Sequence, residues 1–141
     1  MRLGVALAYA PAVQDRDVDT RAILIVDHGS RRAEANELLE SVADALRQRI
    51  PGRTVHIAHM EIAEPTIEQG IDACVASGAR EVVVHPYFLG DGNHTRHSIP
   101  SLVAAATRRY PDLLVTISEP LGLHPKLVDV ILERVESAPR H

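Results

Sequence analysis

The sequence predicts an α/β fold, a parallel four-stranded sheet with helices on both faces in a single domain. Three observations carry this. Short apolar β runs alternate four times with stretches of helical periodicity, an order that implies right-handed crossovers and a parallel sheet. A chain of 141 residues suffices for one well-buried core and is short for two. Its residues are 45% hydrophobic and only 3% aromatic, so that core is built from Val, Ile, Leu and Ala.

Residues 22–26 form the first apolar run. Residues 33–50 follow with Ala35, Leu38, Leu39, Val42, Leu46 and Ile50 near a 3.6-residue period, and Pro51-Gly52 stops that helix. The second strand is expected over 54–62 and the second helix over 66–77, with Pro65 at its start and Gly78 at its end. Residues 81–84 begin a third strand that continues through Tyr87-Phe88-Leu89 into a glycine-rich loop, 90–92. The third helix is expected over 98–110 with Pro100 in its first turn, the fourth strand over 113–117 and the fourth helix over 125–136. Residues 1–21 read as an N-terminal tail or linker and 22–138 as the domain. The apolar start, Met1 to Ala12, carries one arginine, but its apolar stretch is short for an export signal, so a cytoplasmic setting is the expectation.

Composition narrows the function. A net charge of −4 gives no basic field, which argues against nucleic acid as a partner. The single Cys74 excludes an internal disulfide or a CxxC pair, and is expected to pack on a helix. No apolar run approaches the roughly 20 residues that span a bilayer, so no membrane partner is expected.

The order of elements then decides where chemistry can sit. Loops beyond the carboxyl ends of parallel strands form the ligand crevice of such sheets. His28 follows strand one, Glu61 and Glu64 close strand two, His85 and His94 follow strand three, and Glu119 follows strand four. Two neutral imidazoles converging there, His28 and His94, can hold a divalent transition metal. Glu61 ends an apolar strand and can accept protons or help hold the ion, whereas Glu64 before Pro65 suits a helix N-terminal anion. His97 is a possible additional ligand or proton acceptor. Gly29 allows an unusual backbone angle or close approach of a ligand, and Ser30 is placed to cap the following helix. His56 and His59 read as satisfied core or crevice residues, His85 as a turn-shaping residue, and His124 as the opening of the last helix. The first loop lacks the glycine-lysine pattern of a P-loop, so ATP-driven chemistry is disfavoured.

Five motifs occur in order: Val26-Asp27-His28-Gly29-Ser30-Arg31-Arg32, Ala58-His59-Met60-Glu61-Ile62-Ala63-Glu64-Pro65-Thr66-Ile67, Pro86-Tyr87-Phe88-Leu89, Ile99-Pro100-Ser101-Leu102 and Pro120-Leu121-Gly122-Leu123-His124. Together they resemble the short, single-domain sirohydrochlorin chelatases, especially the plant-type ferrochelatases of sirohaem synthesis. The resemblance implies a chelatase-like (flavodoxin-like) fold and insertion of a divalent metal into sirohydrochlorin without ATP. It implies His28 and His94 as metal ligands. It further implies no permanently bound cofactor, Fe²⁺ or Co²⁺ as a substrate, and a homodimer. The family's substrate carries many carboxylates, so Arg31, Arg32 and Arg96, with Ser30, are the candidate substrate contacts. Asn93 and Ser98 depart from the family, which commonly has an arginine and an acidic residue there. The alternatives are a cobaltochelatase of cobalamin synthesis, a non-catalytic metal or tetrapyrrole carrier, and a phosphate binder that lacks a phosphate loop.

Overall fold

A computed structural model describes residues 20–141, apart from the side chains of residues 93–95. Residues 1–19 of the expected tail, and the side chain of His94, lie outside the described residues.

Four strands, β1 (Arg21–Asp27), β2 (Thr54–His59), β3 (Glu81–Pro86) and β4 (Leu114–Ile117), pair in the order β2-β1-β3-β4. All three pairings are parallel. Four helices alternate with them: α1 (Ala33–Arg49), α2 (Ile67–Ala76), α3 (Asn93–Thr107) and α4 (Pro125–Glu136). This is the expected α/β architecture. It places β1 and β3 centrally, where both faces of a strand require apolar residues.

One face of the sheet is closed by α2 and α3. Ala22, Leu24, Val26, Ala58, Val82 and Val84 project from the strands onto Ile67, Ile71 and Cys74 of α2 and onto Ile99, Val103 and Ala106 of α3. Burying a side chain the size of Leu24 or Ile71 stabilises the fold by roughly 1.5–3 kcal/mol. The opposite face carries a smaller cluster, Ile25 and Val55 against Leu39 and Ala43 of α1. Arg47 of α1 ties that helix down, donating to the Val55 carbonyl at 2.6 Å and 3.1 Å. The fourth helix lies on neither face and buries none of its residues.

Local chemistry sets the ends of the elements. Thr66 and Gln69 form a reciprocal capping box at the start of α2. His124 opens α4 as expected, its Nδ1 accepting from the Lys126 N–H at 3.1 Å. Cys74 is fully buried on α2, and that burial pushes its thiol up to about 12.

Three expected boundaries shift. The second strand stops at His59 rather than 62, because Ile62 adopts a φ of 74° and the Ala63 N–H bonds the Glu61 carbonyl at 2.8 Å. That i→i+2 bond across a positive φ is a γ-turn, which cannot continue a strand. The third strand ends at Pro86: the Tyr87 N–H still bonds the Val26 carbonyl of β1 at 2.7 Å, but the Phe88 and Leu89 carbonyls accept from Leu121 and Gly122 of the later loop. The third helix starts at Asn93, five residues before the expected 98, with the Arg96 N–H on the Gly92 carbonyl at 2.9 Å. Pro100 therefore sits inside it, removing one i→i−4 bond where first-turn tolerance had suggested a start.

Candidate functional site

The carboxyl ends of β1 and β2 are stitched together beyond the last strand residue. The Met60 N–H donates to the Asp27 carbonyl at 2.9 Å, and the Glu61 N–H donates to the His28 carbonyl at 3.1 Å. The excursion from Met60 to Pro65 is closed at its base by the His59 N–H on the Pro65 carbonyl, 2.8 Å. It contains a cis Glu64–Pro65 bond.

Gly29 is what allows the two loops to approach. Its φ is +96°, and a Cβ built there would lie 2.0 Å from the Glu61 carbonyl oxygen. The close approach suggested by the sequence is thus made by a neighbouring loop of the same chain.

The result is a side-chain pair at the crevice. His28 Nε2 lies 2.8 Å from Glu61 Oε1, and both side chains are about half exposed. An imidazole and a carboxylate so placed can bind a cation between them or pass a proton. Glu61 also lines a cavity of about 400 Å³ with His97, Ser98, Ser101, Leu102 and Met60. The structure therefore brings His28, Glu61 and His97 to one part of the edge. His94 lies on the first turn of α3, one helical turn before Ser98. Among the described residues no group of three or more His, Cys, Asp or Glu side chains gathers as a metal cage.

The remaining candidates are distributed around this pair. Ser30 is not the helix cap: Arg32 occupies that position without a side-chain cap, and Ser30 Oγ instead accepts from the Arg32 N–H at 3.0 Å. Asn36 clamps Ser30 from both sides, donating to its carbonyl at 2.8 Å and accepting from its N–H at 3.0 Å. Arg31 is exposed, and Arg32 is exposed 3.6 Å from Glu34. Arg96 is exposed on α3, 3.9 Å from Asp91. Glu64 receives the Gln69 side-chain amide at 3.3 Å and so belongs to the start of α2. His85 lies within β3, not in the turn after it, with Nδ1 2.8 Å from Ser118 Oγ. Desolvation lowers its pKa.

One pair escaped the sequence reading. Asp27 and His59 end β1 and β2 and stand opposite each other in the parallel register. Their side chains meet at 2.5 Å, with His59 only 1% exposed. Asp27 immediately precedes His28 and His59 stands two residues before Glu61, so the pair joins the two strand ends next to the crevice pair. Its signal was the register, which a linear reading lacks.

The chain is an open parallel α/β sheet with an imidazole–carboxylate pair, His28 and Glu61, at its carboxyl edge. The family model CbiX matches residues 22–138, and the chain belongs to that family. It is 42% identical over 123 residues to the chloroplastic sirohydrochlorin ferrochelatase of Arabidopsis thaliana, covering 87% of this chain and 55% of the plant protein. It is 27% identical over 137 residues to the sirohydrochlorin cobaltochelatase of Methanopyrus kandleri, covering 83% of this chain and 96% of that protein. Among solved structures, the sirohydrochlorin chelatase SirB of Bacillus subtilis subspecies spizizenii, in complex with cobalt, superposes with a TM-score of 0.77 at 32% identity. That superposition covers 83% of this chain and 50% of SirB. The chain thus spans about half the length of the plant and Bacillus proteins it matches. Among the described residues no helix is long and apolar enough to cross a membrane.

Proposed function

We propose that this chain is a sirohydrochlorin chelatase, inserting a divalent metal, Fe²⁺ in the first instance, into the macrocycle without ATP. The observation that carries the reading is His28 Nε2 at 2.8 Å from Glu61 Oε1, on the carboxyl edge of a sheet of this family. Insertion exchanges hydration water on the ion for four ring nitrogens, and two ring N–H protons must leave. In this reading His28 and His94 hold the ion as it sheds water, and the Glu61 carboxylate takes up protons beside them. The half-exposed imidazole of His28 suits this task, because it binds the ion without enclosing it. His97 on the same cavity as Glu61 serves as a second proton acceptor. Exposed Arg31, Arg32 and Arg96, with Ser30, meet the carboxylates of the substrate. The metal is a substrate here and no resident cofactor is invoked. A homodimer in the cytoplasm belongs to the same reading.

A second reading makes cobalt the metal. It is supported by the archaeal cobaltochelatase, which this chain matches over 96% of its length. Fe²⁺, Co²⁺ and Ni²⁺ differ only in generic affinity for such donors. The carrier reading rests on Ser98, which lines the Glu61 cavity where the family commonly has an acid.

The deciding experiment is anaerobic conversion of sirohydrochlorin, followed by absorbance, with each of the three metals against metal-only controls. Acceleration is expected, and His28→Ala and His94→Ala are expected to reduce it to the control rate. Glu61→Gln should lower the rate by about 10²-fold or more, the scale of a positioned acid–base group. Binding of sirohydrochlorin without acceleration would replace the enzyme by the carrier.

A further inference from the structure

Among the described residues His59 is the one buried polar or charged residue, at 1% exposure. Exchanging a buried carboxylate–imidazole contact for apolar side chains often costs a fold nothing. What a hydrogen bond adds is a fixed distance and direction. The place of this one is therefore informative.

His59 bears on both neighbours of His28. Its Nδ1 lies 2.5 Å from Asp27 Oδ1, and since a carboxylate only accepts, Nδ1 donates. Its Cβ lies 3.2 Å from where a Cβ on Gly29 would stand. One side chain thus supports the residue before His28 and the residue after it. Glu61 follows His59 by two residues, and its N–H holds the His28 carbonyl at 3.1 Å. Beyond that bond both chains turn away, with φ of +96° at Gly29 and 74° at Ile62. Asp27 and His59 are the last paired positions of β1 and β2 below the crevice pair.

The two residues face away from the Glu61 cavity. They continue the alternation of Ile25 and Ile57, which pack on the α1 side of the sheet. The cavity is walled by His97, Ser98, Ser101 and Leu102 of α3, on the other side. Any effect of Asp27 and His59 on a bound ion therefore passes through His28 and Glu61. Two donors at right angles around a zinc-sized divalent ion, each about 2.1 Å from it, stand about 3.0 Å apart. The 2.8 Å between His28 Nε2 and Glu61 Oε1 already comes close to that spacing.

We propose that Asp27 and His59 are positioning residues, their hydrogen bond presetting the His28–Glu61 spacing so that the pair takes a divalent ion without first reorganising. This role presupposes that His28 and Glu61 handle the metal, as proposed above, and not that sirohydrochlorin receives it. Without the bond the two strand ends move independently, and binding must also order them, which weakens it.

The test uses the full chain and Co²⁺ alone, its binding followed by the visible absorption of the ion, with far-UV circular dichroism to show that each variant is folded. His59→Leu and the milder Asp27→Ala are expected to weaken Co²⁺ binding by about 10- to 100-fold and to alter the band shape. His59→Asn places an amide N–H close to the position of imidazole Nδ1 and should restore both affinity and spectrum. In sirohydrochlorin conversion the first two variants should lower kcat by about the same factor and leave KM for sirohydrochlorin unchanged. Wild-type Co²⁺ affinity in folded Asp27→Ala and His59→Leu overturns the proposal, as does failure of a folded His59→Asn to recover it. Co²⁺ binding that His28→Ala leaves intact overturns it too, because the ion then sits elsewhere. The expected order of variants in Co²⁺ binding, without any acceleration of insertion, removes the chelatase reading and upholds the positioning role.

Discussion

The loop after β1 and the loop after β3 leave the same edge of the same sheet, and each sets a glycine near a histidine, yet they are built on opposite terms. In the first, Gly29 has a left-handed φ of +96° and a neighbouring backbone oxygen 2.0 Å from where a Cβ would stand. In the second, nothing lies within 4 Å of a Cβ at Gly90. The first loop is locked to the β2 excursion through Met60 and Glu61, whereas the second is held at Phe88 and Leu89 by the segment leading to α4. One side of the crevice is therefore pre-set, with imidazole and carboxylate at fixed spacing. The other has open space around Gly90.

The sharpest way to break this contrast is Gly29→Ala. It should destabilise the protein by about 3 kcal/mol in urea unfolding, since a methyl group meets backbone and the φ is strained as well. His28 would also be displaced from Glu61, so metal insertion should fall with stability. Next comes His59→Leu, which leaves the Asp27 carboxylate facing an apolar group near the strand ends. A loss of about 2 kcal/mol is expected, the scale of a polar group deprived of its buried partner. Retention of wild-type stability would show that the Asp27–His59 pair does not hold the register of β1 and β2.

A smaller effect is expected from pH. Desolvation lowers the pKa of half-buried His85, so the unfolded chain binds the proton more readily than the folded one. Its contribution is intact above the unfolded value near 6.5 and is lost as pH falls below it towards the lowered folded value. His85→Gln should flatten that part of the stability curve. His56, also lowered by desolvation, leaves a residual slope that His56→Gln removes. The smallest effect is Gly90→Ala, expected within about 0.5 kcal/mol of wild type. A large loss there would erase the distinction between the two loops.

The sequence carried the fold in the parts that patterning governs. Alternation of apolar runs and helical periods located the strands and helices among the described residues, and the topology of a parallel sheet put His28 and Glu61 on one edge. What it missed had definite causes. An apolar run extending to Ile62 does not disclose that Ile62 takes a φ of 74°. A proline reads as a helix start, yet Pro100 lies in the body of α3, because helical residues precede it. The meeting of Asp27 and His59 depends on strand register, which only the paired sheet defines. The helix expected over 125–136 forms, but the sequence reading did not disclose that Ile131, Leu132 and Val135 stay exposed on it.

Cys74 carries a last consequence, in redox terms. The thiolate, not the thiol, is what peroxides and soft metal ions attack. With its thiol raised to about 12 and its side chain sealed in the core, Cys74 holds almost no thiolate at neutral pH. It is also the sole cysteine of the chain. In the proposed ferrous-iron role, where peroxide and iron meet, the chain offers that chemistry almost no sulfur anion to oxidise.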